Sequence, residues 1–118
     1  RIARPALGHQ VGDVILRSFA ARLRQSVRAI DAVARLGGDE FAVLLEHLTH
    51  ADDAVRIAQK IITAMREKFD VNGALVTATA SVGVATWKAQ EDVDALSARA
   101  DSALYAAKDA GRNGYRVA

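Results

Sequence analysis

Two apolar runs, Ala32-Val33-Ala34-Arg35-Leu36 and Phe41-Ala42-Val43-Leu44-Leu45, stand four residues apart around Gly37-Gly38-Asp39-Glu40. This arrangement predicts a β-hairpin, because a tight turn between twisted strands needs the positive φ that glycine adopts without a Cβ clash. A lone hairpin is marginal in water and needs a covering layer. The flanking segments supply one. Val11, Ile15, Phe19 and Leu23, with Leu16, Ala20 and Val27 beside them, recur at helical spacing and predict an amphipathic helix of about five turns that ends near Arg28 to Ile30. Ala54, Ala58, Ile61, Ile62 and Met65 line one face of a second helix, preceded by Thr49 and Asp52 at the spacing of a capping box.

Asn72-Gly73 is a strong two-residue turn signal, and the segment from Leu75 to Thr86 then alternates. Val76, Ala78, Ala80, Val82 and Val84 fall on one side and Thr77, Thr79, Ser81 and Gly83 on the other, all small enough for helices to pack closely. A third helix places Val93, Leu96, Ala100, Ala103, Leu104 and Ala107 on one face, Gly111 stops it, and Tyr115 to Val117 forms a last short strand. Helix, strand, strand, helix, strand, helix, strand is an α/β order of the α+β kind, with helices packed on a mixed or antiparallel sheet.

The 118 residues are the size of one domain, so a single unit over 1–118 is expected. Without cysteine there is no disulfide, thiolate nucleophile or Cys-ligated zinc, and a reducing cytoplasmic setting is compatible. Sixteen Lys and Arg against fourteen Asp and Glu leave +2, too small an excess to hold nucleic acid by charge alone. No apolar stretch approaches the roughly 20 residues that span a bilayer, so no membrane contact is expected from this chain, although its parent can still be membrane-anchored.

In Gly37-Gly38-Asp39-Glu40 the glycines let backbone approach a bulky anionic ligand, and adjacent carboxylates can hold a hard divalent cation. Taken bare, the same residues make an ordinary solvated turn. Lys108 and Arg112, four apart, would share a helix face and could grip phosphates, or simply complement the helix dipole. Asp13 is either a ligand carboxylate or a first-turn acid, and Arg28 with Asp31 is either a binding pair or a helix-end ion pair. His9 has no second histidine nearby and is read as structural.

Gly37-Gly38-Asp39-Glu40-Phe41, within Arg35-Leu36-Gly-Gly-Asp-Glu-Phe, resembles the naming motif of the GGDEF domains, or diguanylate cyclases. Gly8-His9-Gln10-Val11-Gly12-Asp13 is similar to their Gly-His-x-x-Gly-Asp. Thr79 to Ala85 and Ala100 to Gly114 resemble a later strand and the closing helix, so the likeness runs from Gly8 to the end in family order. It implies a palm-like domain of the nucleotide-cyclase type that joins two GTP into cyclic di-GMP with release of pyrophosphate, in bacterial signalling.

By the same resemblance, Asp39 and Glu40 are catalytic and bind Mg²⁺ or Mn²⁺. Gly37, Gly38, Lys108 and Arg112 hold the nucleotide, and Asp13 reads guanine. Arg28 and Asp31 form an inhibitory Arg-x-x-Asp product site that Lys60 helps to close. A face-to-face homodimer is implied, in a parent with an N-terminal sensor or C-terminal output domain. A degenerate module that binds GTP or cyclic di-GMP and regulates an attached domain is the alternative.

The family's first strand carries a metal-binding Asp and is followed by Asn-Asp, where this chain has Arg4 and Pro5; residues 1–7 contain no Asp or Glu. The expectation is therefore a domain incomplete at its N-terminus and inactive or weakly active, with the middle of the sheet either open or filled by a neighbouring chain or a rearranged segment.

Overall fold

The computed structural model describes residues 2–7, 12–37, 39–50 and 52–118, which leaves Gly8, His9, Gln10, Val11 and Gly38 of the motifs outside the described residues. In chain order the elements are β1 (Ile2–Leu7), α1 (Asp13–Ser26), β2 (Ala32–Gly37), β3 (Glu40–Leu44) and α2 (Asp53–Met65). They continue as β4 (Phe69–Val71), β5 (Ala74–Val76), β6 (Ala80–Ala85), α3 (Val93–Asp109) and β7 (Tyr115–Val117). The main sheet has the order β2-β3-β1-β6-β7, and β4 and β5 form a separate two-stranded sheet.

The hairpin forms as its sequence predicts, with Ala32 opposite Leu44, Arg35 opposite Phe41 and Gly37 opposite Glu40, the last after a register shift. Gly37 has φ 146, a value that disfavours side chains. The five apolar residues expected on one face of α2 are all buried. On α3, Leu96, Ala100, Ala103, Leu104 and Ala107 are buried, but Val93 at its start is exposed. The order is mixed: β1 runs antiparallel to both neighbours, and β7 lies parallel to β6.

Three local expectations are corrected. Helix α1 ends at Ser26, short of Arg28, because Ser26 Oγ donates back to the Arg22 carbonyl at 2.8 Å and the Arg28 N–H turns to the Asp31 carboxylate at 2.8 Å. The Asp52 side chain caps nothing on α2; Asp53 instead accepts the His50 N–H at 2.9 Å. The alternating segment from Leu75 is divided, since the Asn72-Gly73 turn (φ 53 and 88) folds β5 back on β4 while β6 joins the main sheet. All six residues of β6 are buried, as expected of a strand covered on both faces.

The central slot is the largest difference. Ile2–Leu7 of the chain itself fills it as β1, with Ile2 opposite both Leu44 and Ala85. Pro5 has no N–H to give, and the β1–β3 register skips Arg4 and Pro5 while the β1–β6 register runs through them.

Side chains alternate across the sheet. Ala3, Val43, Val82 and Val84 join the main core with Ile15, Phe19 and Leu23 of α1 and Ile61 and Met65 of α2. Arg4 and Gly83 face the other way, toward α3, where a Cβ on Gly83 would strike Ala100 and Leu104 backbone. The two core helices are tied by Arg22, which donates to the Ala64 and Glu67 carbonyls at 3.1 and 2.7 Å and stacks 3.7 Å above the Phe69 ring.

Candidate functional site

The topology brings the motifs to one end of the sheet. Glu40 pairs with Ala6, Ala6 pairs with Ser81, and α1 begins shortly after β1 ends, so Asp13 and the hairpin tip share that end. Helix α3 returns along β6: Leu96 clusters with Ala85, and Gly83 lies against Ala100 and Leu104. Its C-terminal end, with Lys108, therefore points the same way. Exposed Asp13 lines a 320 Å³ cleft between α1 and the hairpin, together with Leu16, Arg17, Ala20, Arg35 and Phe41. A larger cleft of 710 Å³ lies between α2 and β7, lined by Gln59, Arg66 and Tyr115 among others, away from the carboxylates.

Lys108 and Arg112 do not share a helix face. Helix α3 stops at Asp109, with the Gly111 N–H bonded to the Lys108 carbonyl at 3.2 Å and the Arg112 N–H to that of Ala107 at 3.1 Å. This is a Schellman stop, with Gly111 at φ 113 and Arg112 itself at φ 62. The two cations sit on either side of the turn, and the Lys108 ammonium lies 5.7 Å from the Tyr105 ring centre.

The carboxylates show the main departure from the motif's implied chemistry. Asp39 is half-buried in the turn, and Glu40 opens β3 with its side chain 35% exposed. One Glu40 oxygen lies 3.5 Å from the guanidinium of Arg4, which also lies 3.3 Å from Asp101 of α3 and donates to Ser97 Oγ at 3.2 Å. Arg4 Nε is buried and finds no partner among the described residues. A divalent ion is what the motif implies at Glu40, but a fixed cation stands there instead. Among the described residues, no three acidic or histidine side chains are placed to hold a metal. The residues present do not fit a metal centre at Glu40. Arg4, Ser97 and Asp101 are site residues that sequence reasoning missed; Ser97 and Asp101, four apart on a helix, were the available signal.

Arg28 and Asp31 lie at the other end of α1, where β2 begins, a strand length of about 20 Å from the hairpin tip. Asp31 is buried, and Arg28 donates to both its carboxylate oxygens, at 2.6 Å from Nη2 and 3.1 Å from Nε. Arg28 also reaches the Glu46 carbonyl at 2.6 Å, and Arg24 donates to the Asp31 and Arg28 carbonyls. Lys60 is exposed on α2. Burial pushes the Asp31 carboxyl up, but hydrogen bonds from the Arg28 side chain and N–H, with the charges of Arg28 and Arg24, outweigh it and hold the group below its ordinary range. The same pairing raises Arg28.

A group lowered in the folded state loses its proton more readily there than in the unfolded chain. Its stabilising contribution is present above the unfolded value of about 4 and is lost as pH falls through the folded value. Urea midpoints measured between pH 5 and 2.5 should fall more gently for Asp31→Asn than for the parent. Parallel acid limbs would show that the pair contributes nothing.

The sheet order, the carboxylate hairpin and the glycine-stopped closing helix together define a palm-like nucleotide-cyclase architecture. The family described as "Diguanylate cyclase, GGDEF domain" matches residues 4–114, and the chain belongs to it. Diguanylate cyclase TpbB of Pseudomonas aeruginosa is 43% identical over 114 residues, which cover 95% of this chain and 26% of that protein. The bifunctional diguanylate cyclase/cyclic di-GMP phosphodiesterase MucR of the same species is 41% identical over 93% of this chain and 16% of its own length. The chain thus spans about a quarter or less of these curated relatives. Among solved structures, the GGDEF domain of TpbB superposes with a TM-score of 0.88 at 37% identity, covering 99% of this chain and 81% of that one. No helix among the described residues is long and apolar enough to cross a membrane.

Proposed function

We propose that this is a diguanylate cyclase domain in plan, of the kind that joins two GTP into cyclic di-GMP with release of pyrophosphate. With Arg4 in its central strand it binds nucleotide but turns it over weakly or not at all. The observation that carries this reading is the Arg4 guanidinium beside Glu40, where the reaction calls for a divalent ion. Phosphoryl transfer depends on charge neutralisation and alignment of the reacting oxygens, and this chain supplies only part of that apparatus. Mg²⁺ or Mn²⁺ belongs to the family's reaction, and no step of it is assigned to these residues.

What remains intact supports binding. Asp13 in its cleft presents a carboxylate that suits the paired N–H donors of a guanine edge, which adenine lacks. In this reading Gly37 lets backbone approach the ligand, and Lys108 and Arg112, which flank the Gly111 turn, are the cations for its phosphates. The reading as a binding module that regulates an attached domain is favoured by the same Arg4 contact. For the product site, this reading takes Arg28 as the ligand-facing cation, with Asp31 holding it in place and Lys60 or a second protomer closing over the ligand. A cytoplasmic setting and a face-to-face homodimer complete the proposal, since the product is two-fold symmetric.

Incubation with GTP and Mg²⁺ or Mn²⁺, followed by chromatography for cyclic di-GMP, should show little or no product. Calorimetry should still detect GTP, with weaker binding for Asp13→Ala, and cyclic di-GMP, with roughly ten- to a hundredfold weaker binding for Arg28→Ala. Turnover matching that of an intact family member overturns the reading of impaired catalysis. Absence of both ligands from the calorimetric trace overturns the binding module.

A further inference from the structure

The Arg4 cluster has a chemistry of its own. Its guanidinium is placed by β1, its two carboxylates by β3 and α3, and its hydroxyl by α3, so three separate stretches of the chain meet around one buried guanidinium. The Arg4 side chain is only 10% exposed, whereas Glu40 and Asp101 are 35% and 37% exposed. The cation is therefore the inner member and the acids face outward. A buried guanidinium is tolerated where carboxylates neutralise it, and here one positive charge lies within ion-pair distance of two negative ones. Removal of the cation would leave Glu40 and Asp101 repelling each other on neighbouring elements.

We propose that Arg4 is a built-in counter-cation that clamps β3 to α3 through Glu40 and Asp101 and excludes divalent ions from Glu40. A metal ion bound by a carboxylate oxygen sits about 2 Å from it. The Arg4 nitrogen already lies 3.5 Å from that oxygen, so ion and guanidinium would face each other at short range as like charges in a partly dry site. The direction of the effect is fixed by charge alone: a neutral residue at position 4 opens the site to a cation, and a carboxylate there completes it. The inference deepens the reading of impaired catalysis.

The test uses Mn²⁺ without nucleotide, read by loss of the free-ion electron spin resonance signal and by paramagnetic broadening of backbone amides. The parent chain should show no selective broadening at Asp39, Glu40 and Phe41 below about 1 mM Mn²⁺. Arg4→Met should show it with at least tenfold tighter binding, and Arg4→Asp more tightly still. Selective broadening in the parent at submillimolar Mn²⁺ overturns the proposal whether or not the variants fold. Identical behaviour of parent and Arg4→Met overturns it too, since the guanidinium would then make no difference. Failure here is separable from failure of the functional reading. A parent that binds Mn²⁺ at Glu40 yet makes no product refutes the exclusion alone, and one that excludes Mn²⁺ yet makes cyclic di-GMP refutes the impaired-catalysis reading alone.

Discussion

Gly83→Ala should cost more than about 3 kcal/mol, the upper end of what overpacking does in a protein interior. The reason is what the added methyl would meet. A Cβ built on Gly83 falls against the carbonyl oxygen of Ala100 and the amide nitrogen of Leu104, and 2.9 Å from the Ala103 carbonyl carbon. These are backbone atoms of α3, so no rotamer change relieves the clash, and the helix must lift off the sheet. Lifting it would also expose Ala85, Leu96 and Ala100, a small apolar cluster between β6 and α3. A domain of this size is stable by roughly 5–15 kcal/mol, so one methyl removes a large share. Urea denaturation followed by far-ultraviolet circular dichroism measures it. Gly114→Ala is the control, because its nearest contact is an ordinary 3.6 Å to the Arg112 carbonyl oxygen. A Gly83→Ala variant within 1 kcal/mol of the parent would mean that α3 does not rest on this strand as described.

The hairpin, two helical faces and the glycine stop were legible because each is dictated by near neighbours: Gly37 at its turn, the apolar faces of α1 and α2, and Gly111 after α3. The Lys108 and Arg112 pairing was misread because a four-residue spacing means a shared face only inside a helix, and Gly111 between them ends it. The central strand was illegible for a physical reason. Arginine and proline within the six residues of β1 argue against a buried central strand, and what places them there is the demand of β3 and β6 for a partner, which local sequence does not encode. The acidic hairpin of Asp39 and Glu40 stands out in the sequence, while Arg4, Ser97 and Asp101 came together around Glu40 only when β1 entered the sheet. Arg28 and Asp31 were legible as a pair, but that Asp31 would turn inward and leave Arg28 as the outer member depended on where α1 stops.

Phe19→Ala should destabilise the domain by about 3–5 kcal/mol, the usual cost of deleting a buried aromatic ring, and should loosen the candidate site as well. Phe19 is fully buried on α1, and its ring centre lies 5.1 Å from that of Phe41 at a tilt of 39°. Such tilted pairs add about 0.5–1.5 kcal/mol beyond burial. Phe41 is the last residue of the hairpin motif, directly after Glu40, and it also lines the cleft that Asp13 overlooks. The cavity left by Phe19 would therefore open beneath the hairpin rather than in a remote part of the core. Phe19→Leu refills most of that space and should recover much of the stability without restoring the ring contact. Chemical denaturation of the three proteins gives the stability series. GTP calorimetry at low temperature, where the variants remain folded, gives the coupling to the cleft: binding should weaken from Phe19 to Leu to Ala. If Phe19→Ala loses stability on the expected scale but binds GTP as tightly as the parent, the Phe19–Phe41 contact supports the core alone and the hairpin is held by its own strand pairing.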